Sequence, residues 1–184
     1  MTWQLRHADA GDLEAIMQLE TSIFANDAWS RAIMREELSN PNAWYLVAFR
    51  PETPGGIDAY AGVLAPRGAK EADIQTIAVA EAARRGGLGR TVMLTLINEA
   101  VKRGADEVFL EVRADNPGAR ALYQSLGFEE LAVRARYYQP DGVDAIVMRL
   151  APVPRGATLA APEVGSPHPE QPEPGDGNRG GERS

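Results

Sequence analysis

Arg84-Arg85-Gly86-Gly87-Leu88-Gly89-Arg90 follows an apolar run at 74–79 and precedes a helical pattern that continues to Gly104. Glycines placed between a strand and a helix let the backbone turn tightly and bring its N–H groups close to a ligand. The flanking arginines add positive charge at a helix N-terminus that already favours anions. The stretch therefore predicts a strand-turn-helix unit that grips a phosphorylated ligand. It lacks the Gly-x-x-x-x-Gly-Lys spacing of a P-loop and the Gly-x-Gly-x-x-Gly of a dinucleotide site, and its strand is not the first of the chain. What it fits is Arg84-x-x-Gly87-x-Gly89. Taken alone, a loop whose glycines serve only to turn the chain explains it equally well.

Outward from that turn, strand and helix patterns alternate. Residues 2–6 read as a first strand. Asp9 caps a helix with Leu13, Ile16, Met17 and Glu20 at helical spacing, and Ser30 opens a second helix that Asn40-Pro41 stops. Strands at 43–49 and 59–64 flank the Pro- and Gly-rich turn at 51–56. After the strand at 74–79, a helix spans 87–103 and is closed by Gly104. A buried strand covers 107–112, Asn116-Pro117 starts a helix that ends at Gly127, and two last strands cover 128–133 and 143–150. The order β-α-α-β-β-β-α-β-α-β-β predicts an α/β (α+β) fold, a mixed sheet packed on both faces and not a doubly wound parallel sheet.

At 184 residues, 44% of them hydrophobic, the chain can build one conventional domain, alone or with an appendage. Residues 152–184 hold seven prolines and six glycines, no aromatic residue and mostly small apolar residues. Such a segment buries too little surface to offset the entropy of ordering it. The expected division is a domain at 1–151 and a disordered tail at 152–184, with partner binding by the tail as the alternative. The chain has no apolar run long enough to span a membrane, and Met1-Thr2-Trp3-Gln4-Leu5-Arg6 lacks the layout of a signal peptide, so a cytoplasmic protein is expected. The absence of cysteine excludes disulfides, thiolate metal sites and a cysteine nucleophile. His7 and His168 lie near opposite ends of the chain, and no metal is expected. The net charge of −7 argues against nucleic-acid binding through phosphates and favours a basic partner.

A second polar cluster is Leu110-Glu111-Val112-Arg113, followed by Asn116 and Tyr123. Along a strand Val108, Leu110 and Val112 share one face, and Phe109, Glu111 and Arg113 the other. A carboxylate in an otherwise apolar strand is costly unless it is paired or functional, so a Glu111–Arg113 pair is the alternative to a reacting group. Asn116 and Tyr123 fall near one side of the same helix. Asn116 is most simply an N-cap, and Tyr123, beside Leu122 and Leu126, is most simply core.

Read together, these residues resemble the GNAT superfamily of acetyl-CoA-dependent N-acetyltransferases over residues 1 to about 150. Arg84-x-x-Gly87-x-Gly89 is similar to that family's pyrophosphate loop. Thr76-Ile77-Ala78-Val79, Leu110-Glu111-Val112-Arg113-x-x-Asn116, Ala121-Leu122-Tyr123-x-Ser125-Leu126-Gly127-Phe128 and Arg136-Tyr137-Tyr138 with Asp144-Ala145 resemble the RimI-type branch. That branch acetylates the N-terminal alanine of ribosomal small-subunit protein eighteen. The resemblance implies a mostly antiparallel central sheet with helices on both faces. It also implies a pantetheine arm held by the backbone of Ile77, Ala78 and Val79. Arg84, Arg85, Gly86, Gly87, Leu88, Gly89 and Arg90 would cradle the pyrophosphate, and Asn116 would touch coenzyme A. Glu111 falls on the general base and Tyr123 on the general acid. The sequence departs from the pattern at Arg84, where glutamine is common, at Ala28-Trp29-Ser30 in place of Pro-Trp-Ser, at Pro117 after Asn116, and in the tail.

Elementary chemistry agrees with those roles. An α-amine of pKa near 8 is mostly protonated at neutral pH, so a base must take its proton as the nitrogen attacks the thioester. A backbone N–H at the strand edge, that of Val79, can stabilise the oxyanion, and a tyrosine can serve the departing thiolate. Without cysteine, direct transfer in a ternary complex is expected. The alternatives are a small amine or lysine side chain as acceptor, or a coenzyme A-binding module without turnover.

Overall fold

The computed structural model describes residues 2–154. The chain runs β1 (Gln4–His7), α1 (Leu13–Phe24), α2 (Arg31–Leu38), β2 (Ala43–Phe49), β3 (Ala59–Leu64), β4 (Glu71–Val79), α3 (Leu88–Arg103), β5 (Glu107–Arg113), α4 (Pro117–Ser125), β6 (Glu129–Tyr138) and β7 (Val143–Leu150). Local chemistry sets the helix ends. Asp9 accepts from the Gly11 N–H at 2.8 Å and starts a short 3-10 turn that leads into α1. The Ser30 Oγ accepts from the Ile33 N–H at 3.2 Å, and the Asn116 Oδ1 from the Ala119 N–H at 3.1 Å. Gly104, at φ +110°, closes α3 in a conformation that favours glycine.

The strands form one sheet in the order β1-β2-β3-β4-β5-β7-β6. Both faces are covered, as the mixed pattern predicts. Leu13, Ile16 and Leu19 of α1 and Met34 of α2 pack with Tyr45, Val47 and Tyr60 on one face. Val92, Met93, Leu96 and Ile97 of α3 pack with Leu46, Ala61, Val63 and Leu110 on the other. Adjacent residues of β2 thus serve opposite cores, which is why that strand reads as a continuous apolar run.

β1 and β5 end one residue past their expected bounds, and two strands run well past theirs. β4 begins at Glu71, and β6 continues to Tyr138. β6 is an edge strand whose residues from Glu129 to Tyr137 are all exposed, so no apolar alternation marks it. Beyond β7 the Val153 side chain is buried and its N–H donates to Asp106 O at 2.9 Å, so packing runs past the expected boundary at 151. The expected disorder of the tail lies outside the described residues from 155 onward. Among the described residues no helix is long and apolar enough to cross a membrane.

The feature that creates a site is a parting of two strands. All neighbouring strands are antiparallel except β4 and β5, which are parallel and registered only from Glu71↔Glu107 to Asp73↔Phe109. Just beyond, β4 pairs with β3 as Val63↔Ile74 and then Gly62↔Thr76, which leaves Gln75 as a bulge. A bulge bends its strand and sharpens the twist. Gln75 is held there by the Tyr45 hydroxyl, which donates to its Oε1 at 2.9 Å. The second half of β4 therefore faces β5 across a gap. The Ala80 N–H donates to Asp58 O at 2.7 Å on the β3 side. Alternation along the strand turns the Ala78 N–H the same way and aims those of Ile77 and Val79 into the gap.

Candidate active site

The gap opens into a cavity of about 170 Å³ that takes Ile77 from β4, Glu111 from β5, Asn116 and Tyr123 from α4 and its cap, Glu20 from α1 and Tyr138 from the β6–β7 hairpin. The sequence-predicted residues Ile77, Glu111, Asn116 and Tyr123 are thus brought to one place. Alternation on β5 puts Glu111 on its half-buried face while Val108, Leu110 and Val112 are buried.

Glu111 does not pair with Arg113. Its Oε1 lies 3.1 Å from Nη1 of Arg134, and the same carboxylate acts on the nearby Tyr137 hydroxyl, raising the phenol's pKa. A bulge in β6 between Arg134 and Tyr138 brings these residues in, and the Arg136 N–H, at φ +54°, is held by Asp144 Oδ1 at 2.9 Å. Arg113 instead joins three loops, pairing with Asp27, with Asp115 at 3.0 Å and with Asp141 at 3.2 Å, while its guanidinium lies 5.0 Å over the Tyr138 ring.

Tyr123 is both core and cavity wall. Its ring is 6% exposed and packs edge-on against Phe128, with 6.2 Å between centroids. Among the described residues its hydroxyl has no hydrogen-bond partner. Burial, assisted by the neighbouring Tyr138, pushes its pKa up to about 12. Tyr138 is likewise pushed up to about 12, by burial and then by Glu111. Asn116 likewise combines two placements: it caps α4 and lines the cavity.

The glycine loop does not line this cavity; it packs beside α4. Arg85 and Gly87 take φ values of +64° and +83°. No side chain caps α3, and the first N–H to bond back is that of Thr91, onto Gly87 O at 3.1 Å. The N–H groups of Leu88, Gly89 and Arg90 consequently point out of the helix end, a ready cradle for an anion. A methyl at Gly89 would come within 3.4 Å of Leu122, so α3 and α4 approach closely here. Arg90 reaches Ser125 Oγ at 3.1 Å, and the Arg84 Nε donates to Val79 O at 3.1 Å, tying the loop to the end of β4. Ala78 turns inward and is buried.

Glu20 is the cavity residue whose role the sequence reading missed. It is 1% exposed, accepts from the Trp29 N–H at 2.7 Å and from the Tyr60 hydroxyl, and has its pKa raised by burial. Its place on the apolar stripe of α1 was the available signal. The folded chain holds the Glu20 proton to higher pH than the unfolded chain. This group therefore favours folding most below the ordinary glutamate range, and its contribution declines as pH rises through the raised value. Glu20→Gln should flatten that decline. Glu20→Ala should cost about 2–4 kcal/mol throughout by stranding the Trp29 N–H, opening a cavity and leaving the Tyr60 hydroxyl with Thr76 Oγ1 alone. Urea unfolding at about pH 5 and about pH 8 checks both, and equal stability of the two variants would discount those bonds.

Residues 13–128 match the family model described as the acetyltransferase (GNAT) family. The chain belongs to this family. Within the GNAT family it is 37% identical over 141 residues to the N-alpha-acetyltransferase RimI of Mycobacterium tuberculosis, covering 75% of this chain and 85% of that protein. It is 50% identical over 82 residues to the [ribosomal protein bS18]-alanine N-acetyltransferase of Escherichia coli K12, covering 44% of this chain and 55% of that protein. An uncharacterized Mycobacterium leprae protein is 39% identical over 141 residues, 75% of this chain, but the match spans 38% of its own length. The crystal structure of the ribosomal-protein-S18-alanine N-acetyltransferase from Escherichia coli superposes with a TM-score of 0.73 at 33% identity, covering 85% of this chain and 97% of that one. The mixed, mostly antiparallel sheet with helices on both faces is the GNAT fold.

Proposed function

We propose that this GNAT chain is an N-terminal protein acetyltransferase that moves acetyl from acetyl-CoA to the α-amine of an N-terminal alanine, with ribosomal protein bS18 as the acceptor. The observation that carries the reading is the meeting of Glu111 and Tyr123 in one cavity beside the open edge of β4. The names of the RimI-type relatives support the choice of acceptor, and the net charge of −7 suits a basic ribosomal protein in the cytoplasm. The acetyltransferase unit expected at 1–151 is extended here to Val153, whose side chain is buried and whose N–H bonds to Asp106.

The residues fit acetyl-CoA. The inward N–H groups of Ile77 and Val79 match the amides of a pantetheine arm, with Ala78 between them turned to β3. The free N–H groups at the start of α3, with Arg84, Arg85 and Arg90 around them and Gly86, Gly87, Leu88 and Gly89 as the backbone cradle, match a pyrophosphate. Asn116, at the N-cap of α4 and in the wall of the cavity, is placed to touch coenzyme A. Acetyl-CoA supplies the thioester carbonyl. Glu111 accepts the proton of the acceptor ammonium, directly or through one water, and Val79 N–H donates to the oxygen that gains negative charge. Tyr123, with its pKa near 12, is a weaker acid than the thiol, so it steadies the departing sulfur chiefly as a hydrogen-bond donor that stays protonated. No side chain here offers a cysteine for an acyl-enzyme, so transfer is direct within a ternary complex.

Incubation with acetyl-CoA and a peptide bearing the bS18 N-terminus should yield an α-N-acetylated product by mass spectrometry. Turnover of polyamines or lysine side chains with an inert peptide would replace the acceptor. Coenzyme A binding without any turnover would leave a binding module.

A further inference from the structure

Just ahead of β1, Trp3 reaches across to the glycine loop. Its indole Nε1–H donates to Asp58 Oδ2 at 2.9 Å. Asp58 is itself fixed: Arg50 donates to both of its carboxylate oxygens, at 2.6 and 3.2 Å, its N–H donates to Ala48 O at 2.8 Å and its carbonyl accepts from Ala80 at 2.7 Å. The other end of the ring rests on Gly86, where a Cβ would stand 2.8 Å from Trp3 Cη2. Side chains never tolerate that distance without a shift, so the indole and any residue larger than glycine at 86 compete for one space.

The loop needs such a support. Arg85, a non-glycine residue at φ +64°, and Gly87 at φ +83° flank the contact. A non-glycine residue held in that region persists only where its surroundings over-determine it. The loop itself is exposed from Arg84 to Gly87, so few other contacts can do so. Trp3, Gly86, Gly87 and Leu88 wall a second cavity of about 270 Å³ on this side of the loop.

We infer that Trp3, anchored through Asp58, is a positioning residue that holds the 84–90 loop in its ligand-gripping shape. The inference rests on the acetyl-CoA reading of that loop. It makes the segment before β1 part of the cofactor apparatus, although it is far in sequence from every residue the motif names.

Calorimetric titration with coenzyme A, paired with steady-state kinetics, tests it. Trp3→Ala should raise the Kd for coenzyme A and the KM for acetyl-CoA about tenfold, with kcat at saturation and the acceptor KM within about twofold. Gly86→Ala should weaken binding in the native background, because its methyl meets the indole, and cost much less when combined with Trp3→Ala. Trp3→Phe, which keeps a ring but loses the Nε1–H, should fall between and carries the test if Trp3→Ala does not fold. Native affinity in the Trp3 variants, strictly additive effects, or an equal loss in kcat and acceptor KM would overturn the inference while the acetyl-CoA reading stands. Failure of the native chain to bind coenzyme A would overturn both.

Discussion

Replacing Glu111 with glutamine should lower kcat/KM for the acceptor peptide by about 10²-fold near pH 7, and the deficit should shrink as pH rises. Glutamine keeps the length of the side chain and its Oε1 can still accept from Arg134, so the hairpin contact to β5 survives. What it loses is the ability to take a proton. An α-amine of pKa about 8 is roughly one-tenth free at pH 7 and nine-tenths free at pH 9. A variant limited to pre-formed free amine therefore regains up to about tenfold across that span, while the native chain, which takes the proton itself, gains less. Initial rates over that pH range, with acetyl-CoA saturating, provide the measurement. A deficit of constant size would mean that Glu111 acts by holding Arg134 and Tyr137 in place and not as the base. Arg134→Ala separates the two: it removes the 3.1 Å ion pair but leaves the carboxylate, and should retain most of the activity if Glu111 is the base.

The parts of this fold that follow from short-range pattern were legible, and the parts that follow from tertiary geometry were not. β2, β3 and β7 sit where their apolar runs place them because both faces of the central sheet are covered. β6 ran long because an exposed edge strand carries no burial pattern to read. Nothing local marks Gln75 as a bulge, although that residue, against Gly62, bends β4 away from β5 and creates the cavity. The same division holds at the site. Glu111, Asn116 and Tyr123 lie within one strand-helix unit, so their spacing alone brings them near each other. Glu20 and Asp27 reach the cavity from the first helix and its following turn, and Asp141 is drawn in by Arg113 over a separation that no window of sequence spans. The expected alternative of a Glu111–Arg113 pair failed for the same reason, since Arg113 found its carboxylates on other loops.

Replacing Tyr123 with phenylalanine isolates the hydroxyl from the ring. The edge-on contact with Phe128 and the burial of the ring stay, and the lost hydroxyl has no protein partner to strand, so stability should change by less than about 1 kcal/mol. The coenzyme A Kd should also stay close to native, because no residue of the glycine loop depends on that oxygen. The kcat should fall by about 10²-fold, the usual scale for losing one positioned hydrogen-bond donor to developing negative charge. With a pKa held near 12, the phenol stays protonated throughout the working range, so the native rate should show no alkaline loss traceable to Tyr123 below about pH 10. Tyr138→Phe is the decisive companion, since its hydroxyl belongs to the same cavity wall and is held protonated to a similar pH. A full-rate Tyr123→Phe chain beside a slow Tyr138→Phe chain would move the donor to the hairpin and return Tyr123 to the core. Loss in Tyr123→Phe alone would fix the donor on α4, the helix that also packs against the glycine loop through Leu122 and Ser125. One rigid helix would then set the distance between the pyrophosphate grip and the departing sulfur.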